Sequence, residues 1–227
     1  MKGDVDTLDR RAWTARAATI RRSRLDDPLG RGIDISVAAV LLLVMAPVLV
    51  ALCLAIWLHD GGNPFFVHRR IGRGGISFPC LKFRTMVADA EARLQHLLAT
   101  DETAAREWAV GQKLRVDPRI TRIGAFLRTS SLDELPQLVN VLLGHMSLVG
   151  PRPIVESEVP RYGRYFRHYC LVRPGITGLW QVSGRNDLSY RRRVVLDFVY
   201  CRSKSVPLDL FILGRTFPAV LSRRGSA

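Results

Sequence analysis

The sequence predicts a helix-rich α+β fold, a small membrane-associated domain that carries an N-terminal membrane segment. Residues 33–58 form a 26-residue apolar run with one charge, Asp34, and this run is long enough to cross the core of a bilayer. The remainder combines helical periodicity with turn-rich stretches that flank short strand-like runs. Lys and Arg residues outnumber Asp and Glu residues by 34 to 20, which favours an anionic partner such as phospholipid, nucleic acid or a phosphorylated substrate.

The first segment, residues 1–31, is an Arg-rich arm. We expect a flexible or partly helical segment that is attracted to anionic lipid. A disordered tail that contributes only solubility is the alternative.

The second segment, residues 32–59, is predicted to enter the membrane and leave it on the same side. Pro47 lies near its middle, where it removes one backbone donor and clashes with the carbonyl group of Leu43. Arginines flank both ends, and the positive-inside bias would therefore keep both ends in the cytoplasm. A re-entrant helix–break–helix with its break at Ala46 and Pro47 satisfies this bias, whereas a straight span does not. An ordinary kinked transmembrane helix remains the alternative.

The third segment, residues 60–221, should form the membrane-surface domain, followed by a short tail at 222–227. Glycine-rich turns between residues 59 and 88 predict a β-hairpin, and helices are expected over 88–110 and 120–128. Ser131 and Glu134 have the spacing of a capping box, which predicts a helix that begins there and ends at Gly144. The apolar stretch 206–221 favours either a helix in the membrane interface or core packing.

Cysteine and histidine residues do not indicate a metal or disulfide site. The four cysteines form no CxxC pair, and the five histidines lack the spacing of metal ligands. The sequence therefore points to a reduced protein without a zinc site.

Two features of the soluble part have residue types suited to chemistry on phosphates. Asp133 and Glu134 are adjacent carboxylates at a predicted helix start, where acids that complement the helix dipole are the alternative interpretation. Arginines stand at rigid turns, and an arginine held in this way suits bidentate phosphate binding. They are Arg128, Arg152, Arg173 and Arg185. No P-loop or GxGxxG motif is present, so the phosphate site would be of another kind.

Three blocks of sequence resemble the bacterial sugar transferases, the monotopic polyprenyl-phosphate phosphoglycosyl transferases. The blocks are KFRTM at 82–86, DPRITRIGAFLRTSSLDELPQLVNVLLGHMSLVGPRP at 117–153 and PGITGLWQVSGRN at 174–186. They occur in the family's order after a Pro-broken membrane segment, and the resemblance extends over about residues 29–217. Many relatives have Ser-Pro at the break where this chain has Ala46-Pro47.

The resemblance implies an enzyme that transfers a sugar 1-phosphate from a UDP-sugar to undecaprenyl phosphate and releases UMP. It implies that Asp133 is the nucleophile, and that Glu134 is a metal ligand or a proton-handling partner. Mg²⁺ is the expected cofactor, held by Glu134 and Asp133. The implied phosphate-binding residues are Arg128 and Arg152, assisted by Lys82 and Arg84, with Arg185 at the nucleotide or sugar end.

The same resemblance suggests the biological setting. Residues 87–116 and 152–163 look like those of the exopolysaccharide galactose-1-phosphate transferases, with glucose 1-phosphate as the competing substrate. The expected location is the cytoplasmic face of the bacterial inner membrane, in contact with inner-leaflet phospholipids, and downstream glycosyltransferases are candidate partners. A non-catalytic membrane scaffold for polysaccharide assembly is the alternative. A nucleic-acid partner is not expected, because the chain has a 26-residue apolar segment and no known nucleic-acid motif.

Overall fold

The computed structural model describes residues 27–111, 114–184 and 187–221. Most of the predicted arm, the predicted tail at 222–227 and the candidate residue Arg185 therefore lie outside the described residues.

A single long helix, α1 (Pro28–Asp60), forms the N-terminal part of the described chain. Its start is capped by Asp27, whose side chain accepts a hydrogen bond from the backbone N–H of Leu29, and Pro28 occupies the first turn. Its end is set by Gly61, which adopts the left-handed conformation with φ of 69°.

The helix α1 is long and apolar enough to cross a membrane, and only 6% of its most apolar 18-residue window is buried. The helix is not interrupted at the predicted break, because it continues through Ala46 and Pro47. A proline deletes one hydrogen bond and bends a helix without ending it. Whether this helix spans the membrane or returns to the same side therefore depends on its bend at Pro47 and on the contacts of its two ends.

The predicted hairpin is confirmed. Strands β1 (Phe65–Ile71) and β2 (Ser77–Phe83) pair antiparallel, with His68 opposite Cys80. The turn between them passes through Gly74 and Gly75, which both have positive φ values. Lys82 lies near the end of β2.

The region after the hairpin contains three helices. The helix expected over 88–110 is divided into α2 (Ala90–Thr100) and α3 (Glu102–Gly111). Asp101 causes the division, because its backbone is extended and its carboxylate accepts hydrogen bonds from the N–H groups of Thr103 and Ala104. The third, α4 (Arg122–Ser130), is close to its predicted position.

The predicted capping box at Ser131 is wrong. Ser131 ends α4 in the left-handed conformation, with φ of 59°, and its side chain makes no cap hydrogen bond to the turn that follows. Asp133 and Glu134 lie in a 3₁₀ turn, Leu132–Glu134, and the next helix, α5 (Gln137–Leu142), begins only after Pro136. The side chain of Glu134 binds Lys82 instead of the backbone, and a charge-assisted hydrogen bond is stronger than a neutral cap.

The C-terminal half supplies a second small sheet and more helices. Strand β3 (Ser147–Val149) pairs in parallel with β4 (Gly175–Thr177), and Gly150 and Gly178 permit close backbone contact beside them. The helices are α6 (Val159–Tyr162), α7 (Phe166–Tyr169), α8 (Leu179–Val182), α9 (Tyr190–Ser203) and α10 (Val206–Leu221).

The long apolar helix α1 is part of the main core. Ala38 of α1 is fully buried in one cluster with Val141 of α5, Val149 of β3, Tyr200 of α9 and Ile212 of α10. The two alternatives for residues 206–221 therefore both find support in α10, since Ile212 is buried while the neighbouring Leu210 and Phe211 are exposed.

Candidate active site

Three side chains from two distant parts of the chain meet at the predicted carboxylate pair. Lys82, near the end of β2, donates a hydrogen bond of 2.6 Å from Nζ to Oε1 of Glu134. Its Nζ also lies 3.6 Å from Oδ2 of Asp133. The 3₁₀ turn presents the two carboxylates side by side, so that a single ammonium group neutralises part of the charge of both.

The two carboxylates differ in their acidity. Burial raises the pKa of Asp133, the charge of Glu134 raises it further, and Lys82 and Arg128 act in the opposite direction. Burial also acts to raise the pKa of Glu134, but Lys82, Arg152 and Arg70 together outweigh it and hold that pKa below its ordinary value. Glu134 is therefore the stably ionised member of the pair, whereas Asp133 is the more basic carboxylate.

Arg128 and Arg152 are the two arginines for which the sequence predicts phosphate binding. Arg128 donates from Nε to Oγ1 of Thr85 at 2.9 Å, and its charge acts on Asp133. Arg152 acts on Glu134, and its guanidinium carbon lies 6.0 Å from the centre of the Trp180 ring. Both line the same cavity as the carboxylate pair.

Arg84 pairs with a carboxylate other than Asp133 and Glu134. Its guanidinium forms an ion pair with Asp60, the last residue of α1, although its side chain also borders the cavity. The fifth candidate, Arg185, lies outside the part of the chain that the structure describes.

A cavity of about 880 Å³ surrounds these groups. Polar residues near Arg128, among them Thr85, Ser130 and Ser131, line one part of it. Residues of helices α1 and α10 also line it. These are Leu41, Met45, Leu213 and Thr216.

Several cavity residues were not singled out from the sequence. Arg70 of β1 donates from Nη1 to the carbonyl of Pro153 at 3.1 Å and from Nη2 to Nδ1 of His68 at 3.2 Å. Burial lowers the pKa of His68, and Arg70 and Lys82 lower it further. The alternation of β1 places His68 and Arg70 on one face, two positions apart, which is the signal that could have identified them.

The donor set suits one kind of metal ion. Among the described residues no three His, Cys, Asp or Glu side chains cluster as a metal site. Mg²⁺ is commonly held by one or two carboxylates together with substrate phosphates and water. The pair of Asp133 and Glu134 meets that requirement when a phosphate completes the set.

The fold and the site together define a domain built on a membrane-type helix, with a cationic cavity that carries two carboxylates. The chain belongs to the family described as bacterial sugar transferase, whose sequence profile matches residues 17–223.

Three relatives are similar over most of this chain. The exopolysaccharide production protein ExoY of Rhizobium meliloti is 47% identical over 196 residues, which cover 86% of this chain and 87% of that protein. The UDP-galactose-lipid carrier transferase of Erwinia amylovora is 48% identical over 87% of this chain. The undecaprenyl-phosphate galactose phosphotransferase of Salmonella typhimurium is 47% identical over 87% of this chain. The match covers only 41% of the length of each of these last two proteins.

Proposed function

We propose that this protein transfers a sugar 1-phosphate, with galactose as the favoured sugar, from a UDP-sugar to undecaprenyl phosphate and releases UMP. In this proposal it initiates assembly of an exopolysaccharide or another surface glycan. One observation carries the proposal: Asp133, Glu134 and Lys82 meet at a cavity that is also lined by Leu41 and Met45 of the membrane helix. The names of the Erwinia and Salmonella relatives support galactose.

The proposed reaction proceeds in two displacements at phosphorus. A carboxylate oxygen of Asp133 attacks the β-phosphorus of the UDP-sugar, and the bond from that phosphorus to the oxygen of UMP breaks. The lipid phosphate then attacks the same phosphorus, and the bond to Asp133 breaks as the lipid diphosphate-sugar forms. With all groups ionised, charge balances in each step and no net proton is transferred. Separating the steps lets the soluble donor leave before the lipid acceptor reacts.

The surroundings of Asp133 suit the role of nucleophile. Burial and the charge of Glu134 raise its pKa, which makes it a more basic and more reactive carboxylate. Lys82 and Arg128 oppose this shift and keep an ionised fraction available. Arg128 and Arg152 supply the fixed positive charge that a transferring phosphoryl group requires.

Mg²⁺ is the proposed cofactor, with Glu134 and Asp133 as its protein ligands. When bound it would neutralise charge on the diphosphate of the donor. Glu134 is the better ligand of the two because its pKa is held low, so that it stays ionised.

The cavity provides a route by which a lipid acceptor could reach a polar site. Leu41 and Met45 of α1 are among its lining residues, and most of the side chains along the middle of α1 are exposed. A phosphate at the carboxylate pair could therefore remain attached to a polyprenyl chain that extends along this helix into lipid. The cationic surface would in addition attract inner-leaflet phospholipids.

Both ends of α1 contact the same domain, which supports a re-entrant path. Near the start, Arg31 donates to the carbonyl of Val141 at 2.7 Å, and Asp34 accepts from the N–H of Leu148 at 2.9 Å. At the other end Asp60 pairs with Arg84. An unbroken 33-residue helix is about 50 Å long, so a perpendicular span would carry one end across the bilayer and away from the domain.

Cysteine labelling tests this topology. Single cysteines replace Leu29 or His59 in a chain whose four native cysteines have been removed. Intact spheroplasts are treated with an impermeant thiol reagent, with the cysteine-free chain as background. We expect labelling of neither site before permeabilisation and of both sites after it. Labelling of one site alone from outside would show a full span.

A membrane assay tests the activity. Radiolabelled UDP-galactose and UDP-glucose are each supplied with undecaprenyl phosphate and Mg²⁺, and UMP release and lipid labelling are measured. We expect activity with wild type, and a loss of about 10³-fold or more with Asp133→Asn, which preserves size but removes the nucleophile. Equal lipid labelling by wild type and variant would exclude Asp133 as the nucleophile. No labelling with either donor would favour the scaffold interpretation.

A further inference from the structure

One face of the β-hairpin lies along the cavity beside the carboxylate pair. In an antiparallel pair of strands, residues opposite each other and residues two positions apart share a face. The register sets Phe66 opposite Lys82 and His68 opposite Cys80. The members of this face that line the cavity are Phe66, His68, Arg70 and Lys82. His68 therefore lies one residue pair away from the lysine that binds the carboxylates.

The imidazole ring of His68 is held by its neighbour on this face. Arg70 donates from Nη2 to Nδ1 of His68 at 3.2 Å. A guanidinium group can only donate, so Nδ1 accepts and the proton of the neutral ring is on Nε2. Arg70 is itself fixed, because its Nη1 donates to the carbonyl of Pro153 at 3.1 Å and lies 3.8 Å from Oε2 of Glu158. The structure thus selects one tautomer, in which Nε2–H is the donor of the ring.

The same surroundings keep the ring of His68 neutral. Burial lowers its pKa, and the charges of Arg70 and Lys82 lower it further, although Glu158 acts in the opposite direction. A protonated ring would also lose the hydrogen bond from Arg70, because both of its nitrogens would then be donors. His68 is therefore an uncharged donor between two cationic side chains, and the proposed reaction gives it no role.

The geometry of the proposed reaction favours the hexose as the ligand of this donor. In a displacement at phosphorus the attacking and leaving oxygens lie roughly in line, so UMP leaves on the side away from Asp133. The hexose is joined to the same phosphorus through a third oxygen and extends sideways, towards the residues beside the carboxylate pair. A hydroxyl oxygen suits a neutral N–H, whereas phosphate oxygens are matched better by charged donors such as Lys82 and Arg128.

We propose that His68 is a specificity-determining residue, whose Nε2–H donates a hydrogen bond to a hydroxyl oxygen on the hexose of the donor. This inference rests on the proposed function, because it takes the donor to be a UDP-sugar. Arg70 is the positioning residue that orients the ring. UDP alone lacks the hexose, and a comparison of UDP with the UDP-sugar therefore separates this contact from those made to the phosphates.

Binding measurements test the inference without relying on turnover. The UDP-sugar that wild type uses, UDP-galactose or UDP-glucose, and UDP alone are titrated with Mg²⁺ against purified Asp133→Asn protein, which lacks the proposed nucleophile. We expect the additional change His68→Phe to weaken binding of the UDP-sugar by about 5-fold or more, and to change UDP binding by less than about 2-fold. His68→Gln keeps an N–H donor and should retain the affinity for the UDP-sugar within about 2-fold. His96→Phe is the matched control, because His96 is exposed and does not line the cavity.

NMR of ¹⁵N-labelled histidine keeps the test decisive when His68→Phe does not fold. The signals of His68 are those absent from His68→Gln, and their shifts should place the ring proton on Nε2. Addition of the UDP-sugar should shift the Nε2 resonance more than addition of UDP does. A ring proton on Nδ1, or an Nε2 resonance that the two ligands shift equally, would contradict the contact with the hexose.

The outcomes separate the two proposals. Equal losses of affinity for the UDP-sugar and for UDP in His68→Phe would mean that His68 acts on the nucleotide half or on the fold. Unchanged affinity for both ligands would mean that it contacts neither. Either result would overturn the specificity role while leaving the transferase proposal in place. Failure of the wild-type protein both to bind UDP and to release UMP would overturn the transferase proposal itself.

Discussion

Lys82 and Glu134 are 52 positions apart in sequence, and their side chains form a hydrogen bond of 2.6 Å. This contact joins the end of the hairpin to the 3₁₀ turn that carries Asp133. It also explains why Glu134 does not cap a helix, since its carboxylate is already bound. The pairing leaves Asp133, at 3.6 Å from the same ammonium, as the less tightly held carboxylate.

Replacement of Lys82 by Met should lower kcat/KM for the UDP-sugar by about 10²- to 10³-fold, because the cavity loses the cation that acts on both carboxylates. Steady-state UMP release measures the effect. Lys204→Met is the matched control, since Lys204 pairs with Asp209 and does not line the cavity. A similar loss in both variants would mean that the effect of Lys82 is not specific to the site.

The reaction with donor should depend on the ionisation of Asp133. Burial raises the pKa of this group, and only its ionised form can attack, so UMP release should increase with pH through a midpoint above that of a free aspartate. Lys82 lowers the same pKa, and Lys82→Met should therefore move the midpoint to higher pH. Residual activity of Lys82→Met with an unchanged or lower midpoint would contradict this assignment.

Arg84 should act on stability more than on donor binding, because its guanidinium is paired with Asp60. Arg84→Gln and Asp60→Asn should each lower the free energy of unfolding by about 1 kcal/mol, and their effects should not add. KM for the donor should stay within about 2-fold in both, whereas Arg128→Gln should raise it by about 10-fold. Thermal melting and donor kinetics provide the measurements. A donor KM for Arg84→Gln as high as that for Arg128→Gln would restore the phosphate-binding role.

Asp197 should make stability depend on pH. Burial raises its pKa to about 7, although Tyr162 and the backbone N–H of Arg152 act to lower it. An acid whose pKa is raised by folding contributes its full stability below the pKa of the unfolded chain, near 4, and this contribution is lost as pH rises towards 7. The loss corresponds to at most roughly 4 kcal/mol.

The comparison with Asp197→Asn measures that contribution. The variant has no ionisable group at this position, so its Tm should fall less than that of wild type between pH 5 and pH 8. Parallel Tm curves for the two proteins would show that Asp197 does not titrate in this way.

The sequence predicted correctly those elements that depend on interactions between residues close together in the chain. The apolar run and the glycine turn of the hairpin each depend on residues close together in sequence, and both are found where the sequence indicated. The prediction of a capping box at Ser131 was wrong because a residue far away in the sequence binds one of its members. Its acid, Glu134, is bound by Lys82 from a distant strand, and a contact of that kind overrides a local preference.

The sequence motifs predicted which residues form the candidate site, but they did not predict all the contacts that these residues make. Asp133, Glu134, Lys82, Arg128 and Arg152 all line one cavity, and the roles that the family blocks imply for them remain predictions. The sequence does not show that the guanidinium of Arg84 is bound to the end of α1, nor that a buried carboxylate of α9, Asp197, accepts a hydrogen bond from Tyr162. Both facts depend on how elements far apart in the chain pack together.

The most direct test of the central claim is to trap the enzyme with donor alone. Wild type and Asp133→Asn are incubated with labelled UDP-galactose and Mg²⁺ without lipid acceptor, quenched in acid, digested and analysed by mass spectrometry. The account predicts a hexose-phosphate adduct on the peptide that contains Asp133, removed by later addition of undecaprenyl phosphate and absent from the variant. A preparation that synthesises glycolipid but never carries this adduct, or an adduct that persists in Asp133→Asn, would contradict it.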